Sequence, residues 1–220
     1  MIELTADEAR VLGVLIEKAL TTPEQYPLSL NAVVVGSNQK NNRDPVLSVD
    51  EDRAMRAIDG LRQKGLVIQV DTVGSRVHKY KHATQEKLAA RTAEVALLAE
   101  MLLRGPQTLG ELRTRASRMH PFDSLDAVQD MLRALRERPE PLVRQIPPSP
   151  GTRAERYIQL LSPPPDPVEA LSASIAPPAP PEAPASPLAE RVGQLEQQVQ
   201  QLQQALTRLA QSLGEADPFS

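Results

Sequence analysis

Three histidines, no cysteine and scattered carboxylates are the groups this 220-residue chain offers to catalysis. His78 and His82 stand four apart in a segment that reads as a strand. That spacing puts both rings on one face but about 13 Å apart, at ~3.3 Å per residue. They are too distant to share a metal ion. His120 stands alone. Without cysteine there is no disulfide, no thiol nucleophile and no Cys-based zinc site. Gly36 and Gly74 lack any phosphate-loop pattern around them. Asp50 and Glu51 fall at the start of a predicted helix, where carboxylates favour the helix dipole. No nucleophile is paired with a base. The expectation is a non-enzyme with no catalytic residue, no metal and no cofactor.

Phosphate chemistry has better material. The stretch NQKNNRDPV holds Lys40, Asn41, Asn42 and Arg43, and the helix predicted after it carries Arg53 and Arg56. GSRVHKYKH adds Arg76, Lys79 and Lys81. Amides and cationic heads are the groups that bond phosphates and base edges, so these nine residues form a candidate nucleic-acid surface. Charge elsewhere opposes that reading. Residues 1–83 carry 11 basic and 11 acidic groups, residues 84–161 carry 12 and 10, and residues 162–220 carry 2 and 7. Outside the acidic tail the chain is barely basic, and nucleic-acid binders usually show a stronger footprint.

The elements that position these groups follow from pattern. TADEARVLGVLIEKAL reads as a helix opened by a Thr5–Glu8 capping box, with Val11, Leu12, Leu15 and Ile16 on one face. LSLNAVVVG is a short helix or a buried apolar turn. Ser48 and Glu51 have capping-box spacing before a third helix, which turns Ala54, Ile58 and Leu61 inward and stops at Gly65. LVIQV and VHKYKH read as strands around the turn DTVGSR. The order then recurs. EVALLAEMLLRGP is an apolar helix, TLGELRTRA opens on Thr108 and Glu111, and SLDAVQDMLRALRER turns Leu125, Val128, Leu132 and Leu135 inward. LVRQI and RYIQLL close the second copy. Three helices followed by two strands is the order of a winged helix.

Matching Glu8 to Glu94 and Leu61 to Leu135 gives offsets of 86 and 74, so the first copy is longer by 12 residues. About seven fall in TTPEQYP and about five in the stretch around NQKNNRDPV. Extra loop on a shared scaffold is where function tends to sit, although a longer polar turn would look the same. The third helices are poor readers of DNA. Their outward residues are Asp52, Arg56, Asp59 and Gln63 in the first copy, and Asp126, Asp130, Arg133 and Glu137 in the second. Acids there repel phosphate. Arg113, Arg115 and Arg118 make a smaller basic cluster in the second copy.

Residues 162–187 are proline- and alanine-rich and carry no core periodicity, so a disordered linker of polyproline character is expected. A heptad follows over residues 188–213, before a tail at 214–220. Val192, Val199, Leu206 and Leu213 fall at a, and Leu188, Leu195, Leu202 and Leu209 at d. That pattern predicts a coiled-coil helix and a parallel homodimer. No apolar run approaches the ~18 residues of a membrane span, and the N-terminus lacks the parts of a signal peptide. A cytoplasmic protein without a membrane partner is expected.

The blocks RVLGVLIEK, TTPEQYPLSLN, NQKNNRDPV and GSRVHKY make the chain resemble the YceH-like family of uncharacterised bacterial proteins, over roughly residues 1–161. VVVGSNQKNN departs from the pattern, because the family more often carries a cysteine there. The resemblance implies two winged-helix domains in tandem and no established activity. The combined expectation is a mainly α fold with small β wings (α+β). Winged-helix domains occupy residues 1–83 and 84–161, followed by the linker and the coil. Nucleic-acid binding through the first domain leads. A protein–protein adaptor dimerised by the coil is the alternative, and an enzyme is the distant third.

Overall fold

The computed structural model describes residues 2–71, 77–148 and 154–163. These residues lie in one unit of the chain, residues 1–169. Helix α1 (Ala6–Thr21) begins where Thr5 accepts the Glu8 N–H at 3.2 Å and Glu8 accepts the Thr5 N–H at 2.7 Å. This reciprocal cap satisfies two backbone donors that a helix start leaves orphaned. A short 3-10 turn (Pro23–Gln25) leads to β1 (Leu28–Ser29), and Ser29 caps α2 (Leu30–Ser37). The Tyr26–Pro27 and Asp44–Pro45 peptides are cis.

Helix α3 (Glu51–Gln63) is capped by Asp50, which accepts the Arg53 N–H at 2.8 Å. Ser48, the expected cap, instead lends its carbonyl to the Arg53 side chain. Asp50 sits nearer the first free N–H groups, and a carboxylate bonds them more strongly than a hydroxyl. Ala54, Ile58 and Leu61 are fully buried, and Gly65 ends the segment at φ 72°. Strands β2 (Val67–Val70) and β3 (Lys79–His82) pair antiparallel, with Val67 opposite His82 and Val70 opposite Lys79. β1 completes a sheet of order β1-β3-β2 through Leu28 opposite Tyr80.

After α4 (Thr84–Leu88), the pattern repeats as α5 (Thr92–Arg104), β4 (Gln107–Thr108), α6 (Leu109–Ala116), α7 (Leu125–Arg136), β5 (Val143–Ile146) and β6 (Arg156–Gln159). The second sheet has the matching order β4-β6-β5. Thr108 and Glu111 form the second reciprocal cap, and Ser124 caps α7. Val128, Leu132 and Leu135 are buried, whereas Leu125 is exposed. As the first residue of α7, Leu125 lies a turn short of the packed face.

Equivalent starts give the insertions directly. Ala6 maps to Thr92, 86 residues on; Leu28 maps to Gln107, 79 on; Glu51 maps to Leu125, 74 on. Seven extra residues therefore precede β1 and five precede α3, as the sequence offsets require.

A continuous core runs through both repeats, and its axis is the packing of α1 on α5. Every residue from Glu8 to Glu17 is buried, as is every residue from Ala93 to Leu103. Each helix has its own repeat on one side and the other repeat on the opposite side. A helix covered all round in this way has no solvent face. The approach is close at Gly13, where a Cβ would stand 2.9 Å from Leu103 Cγ.

Candidate functional site

Residues 38–49 form a stapled loop. The Asn38 side chain accepts the Val49 N–H at 2.7 Å and donates to the Val49 carbonyl at 2.8 Å. This pair closes the loop across its base and ties the end of α2 to the approach of α3. Asn42 sits at φ 61°, a left-handed conformation that asparagine tolerates better than most residues. The Asp44 N–H donates to the Leu103 carbonyl at 2.9 Å, which docks the loop on the end of α5.

Arg43 is the centre of this loop, and its side chain has no exposed surface. Its guanidinium meets Glu17 of α1 through two bonds, at 3.2 and 2.5 Å. Its remaining donors reach the Gly36 carbonyl at 2.9 and 3.1 Å, the Asn42 carbonyl at 2.8 Å and Gln39 Oε1 at 3.0 Å. Arg43 is therefore not a surface contact for phosphate. It is the buried post around which NQKNNRDPV folds.

The charges continue into the second repeat. Arg118, just beyond α6, donates to Glu17 and, at 2.7 Å, to Glu100 of α5. Arg104 lies 3.4 Å from Glu100 and donates to Asn42 Oδ1. Glu17 and Glu100 side chains are 3% and 0% exposed. Burial alone would raise the Glu17 carboxyl, but the bonds and charge of Arg43, then Arg118, hold it below the ordinary value. Arg10 is buried beside them and donates to the Ser37 and Pro45 carbonyls. Burial first, and the charge of Arg43 second, push its guanidinium down to about 10.

The other expected contacts sit elsewhere. Arg53 is tied to Asp7 by bonds of 2.9 and 2.6 Å, which link the starts of α1 and α3. Arg56 is exposed on α3, and Arg62 pairs with Asp59 at 3.1 Å. On β3, Tyr80 is buried towards Met55 of α3. Lys79 and Lys81 alternate with it and occupy the other sheet face. Lys40, Asn41 and Asn42 crest the loop and are exposed. Lys40, Arg56, Lys79 and Lys81 have no ion-pair partner among the described residues. Arg76 lies outside the described residues, as do the heptad positions from Leu188 to Leu213.

The structure does not gather the candidates into one patch. The crest faces a polar depression of about 450 Å³, whose far wall is Arg104 and Arg115 of the second repeat. No β3 residue lines it. The role of the second repeat was missed from sequence. Its available signal was Arg10 and Glu17, two charges seven apart that bracket the apolar run of residues 11–16 on α1, fall on one side and demand partners.

His78 is exposed and bonds Asp71 at 2.7 Å. The His82 ring is half-buried against Tyr26, whose hydroxyl accepts the His82 backbone N–H at 2.5 Å. Among the described residues, no three His or acidic groups cluster closely enough to hold a metal. No described helix is long and apolar enough to cross a membrane.

Residues 4–152 match the family model described as protein of unknown function, DUF480. The chain is 54% identical to a UPF0502 protein of Geobacter sulfurreducens over 159 residues, which cover 72% of each chain. It is 51% identical to a UPF0502 protein of Geotalea daltonii over 175 residues, covering 75% of this chain and 80% of the relative. It is 48% identical to one from a Shewanella species over 164 residues, covering 73% and 74%. The chain belongs to this DUF480/UPF0502 family, which agrees with the YceH-like resemblance.

Proposed function

We propose that this chain is a non-enzymatic, nucleic-acid-binding protein, built from two winged-helix domains at residues 1–83 and 84–161. It grips the phosphate backbone rather than reading bases with its third helices. Three helices and a three-stranded sheet in each repeat support the winged-helix assignment. The observation that carries the ligand class is the distribution of free charge. Lys40, Arg56, Lys79 and Lys81 of the first repeat are unpaired among the described residues. The α3 and α7 arginines Arg53, Arg62 and Arg133 are neutralised by Asp7, Asp59 and Asp130. Apart from Arg56 on α3, these free cations lie outside the recognition helices, which suits a sequence-tolerant grip on phosphate. Dimerisation through residues 188–213, beyond the linker 162–187, would raise weak head affinity by effective concentration.

A protein adaptor is the second reading. It is favoured by exposed Ile68 and Val77 beside β2 and β3 and by the acids on both third helices. Fluorescence anisotropy of the full-length protein with a labelled random duplex at about 50 and 200 mM salt separates the two. Binding with a steep salt slope supports the backbone grip. No binding at low salt, together with nuclease-resistant capture of a stoichiometric protein, transfers the function to the adaptor.

A further inference from the structure

The polar depression between the loop crest and the second repeat holds an excess of cations. Lys40 reaches it from one side, with Arg43 in its floor; Arg104 and Arg115 come from the other. The single carboxylate in the lining is Asp44. The acids that offset the guanidinium groups are mostly sequestered: Glu100 is fully buried and Glu17 nearly so, leaving Glu111 as the partly exposed partner of Arg115 at 3.1 Å. Arg115 also donates to Gln107 Oε1 at 2.9 Å, which aims it from α6. Amide donors complete the lining. Asn41 has no side-chain partner among the described residues, and Asn42 gives Arg104 only its oxygen, so its Nδ2 donors remain free.

We infer that this depression is a phosphate-binding site assembled jointly by the two repeats, with Lys40, Arg104, Arg115 and the Asn41 and Asn42 amides as its donors. Guanidinium and amide groups match the several oxygens of one phosphate, and Lys40 adds a point charge. Mutual repulsion among the cations points the same way. Burial, and then the charges of Arg115, Arg118 and Arg43 acting against Glu100, lower the Arg104 pKa. An anion seated here relieves that repulsion. The site deepens the nucleic-acid reading and rests on it for its macromolecular source, a backbone phosphodiester. A free phosphate ester offers the same oxygens.

The test uses the full chain, ¹⁵N-labelled, titrated separately with inorganic phosphate and with a short duplex, while the side-chain amides of Asn41 and Asn42 are followed. Lys40→Ala is the main variant, because Lys40 has no ion-pair partner to lose among the described residues. Arg115→Gln is the second, and Lys79→Ala with Lys81→Ala is the remote control. The expected result is movement of the crest amides with both ligands. Lys40→Ala should weaken both by about tenfold, as loss of one charge-assisted bond implies, and the remote control should leave phosphate binding unchanged. Phosphate that leaves the crest unmoved, or binds Lys40→Ala and Arg115→Gln as tightly as the parent, overturns the site. Duplex affinity lost only in the Lys79/Lys81 variant, with the crest unmoved by phosphate, overturns it too, while the nucleic-acid reading stands. Phosphate seated at the crest without duplex binding supports the site with a free ester as its source, and removes the nucleic-acid reading.

Discussion

Arg43→Ala separates a buried structural charge from a surface contact. The guanidinium is fully buried, and it makes two bonds to Glu17 and two to the Gly36 carbonyl. Removing one partner of a buried ion pair costs about 3–5 kcal/mol, because the remaining charge stays desolvated. Glu17 keeps Arg118, which places the loss near the lower end. The unmet Gly36 acceptor adds about 1 kcal/mol. The expected total is roughly 3–4 kcal/mol, or a melting temperature lowered by roughly 10 °C for a domain of this size. Urea unfolding at neutral pH reads this as a lower midpoint at unchanged slope. The pH dependence has a definite sign. The bonds and charge of Arg43 and Arg118 hold the Glu17 carboxyl below the ordinary value for a glutamate. Its stabilising share is thus complete above that value and is lost as pH falls through the depressed folded value. Without Arg43 that share shrinks, so parent and variant converge in acid. A variant within about 0.5 kcal/mol of the parent, the range of ordinary surface changes, would refute the buried-post role of Arg43.

At the α1–α5 contact, Gly13→Ala gains about 1 kcal/mol in helix propensity but crowds Leu103, at about 1–3 kcal/mol for overpacking. A net loss near 1 kcal/mol in urea unfolding is expected, and a gain would mean that the helices separate freely there. His82 should titrate below the ordinary histidine value of about 6.5, because burial lowers it more than Glu86 raises it. The neutral ring is favoured by the fold, so its contribution is complete above about 6.5 and declines as pH falls below that; an NMR midpoint at or above 6.5 contradicts this. Replacing the pair together, with Glu17→Leu and Arg43→Met, should cost clearly less than Arg43→Ala alone, since no buried carboxylate is stranded and Arg118 keeps Glu100. A loss as large as that of Arg43→Ala alone would disprove it. Deleting residues 188–213 should halve the particle mass in light scattering, whereas a monomer before and after removes the coil-mediated dimer.

Local signals were legible in the sequence where the cause is local. Thr5 with Glu8, and Thr108 with Glu111, bond within one turn, so their spacing alone reveals them. The inward faces of α3 and α7 follow from helical period, and only the terminal Leu125 escaped it. β1 and β4 were missed because two residues cannot display a period. Ser48 was preferred to Asp50 as the α3 cap because both precede the helix, and spacing does not say which one meets the free N–H groups. The candidate surface was legible only in part. NQKNNRDPV was marked correctly as an insertion, but its cations looked alike. Arg43 and Lys40 differ only in what folds around them, and Glu17 is 26 positions from Arg43 and 101 from Arg118.

The buried charges at the junction are better explained by register than by stability. An apolar residue at Glu17 would pack without desolvation cost, so the carboxylate is not the most stable choice in isolation. It is satisfied only when Arg43 arrives from the inserted loop and Arg118 arrives from the second repeat. A second repeat that slips along α1 still finds apolar surface, because Val11, Val14 and Leu15 offer it in several directions. It does not find a second place for Arg118. Misdocking therefore leaves a buried carboxylate short of a partner, and the penalty falls on the wrong arrangement alone. The same condition brings Arg104 and Arg115 opposite Lys40, Asn41 and Asn42. The ion network that fixes the two repeats also sets the spacing of the donors across the depression, so one buried glutamate links the docking of the halves to the geometry of the surface they share.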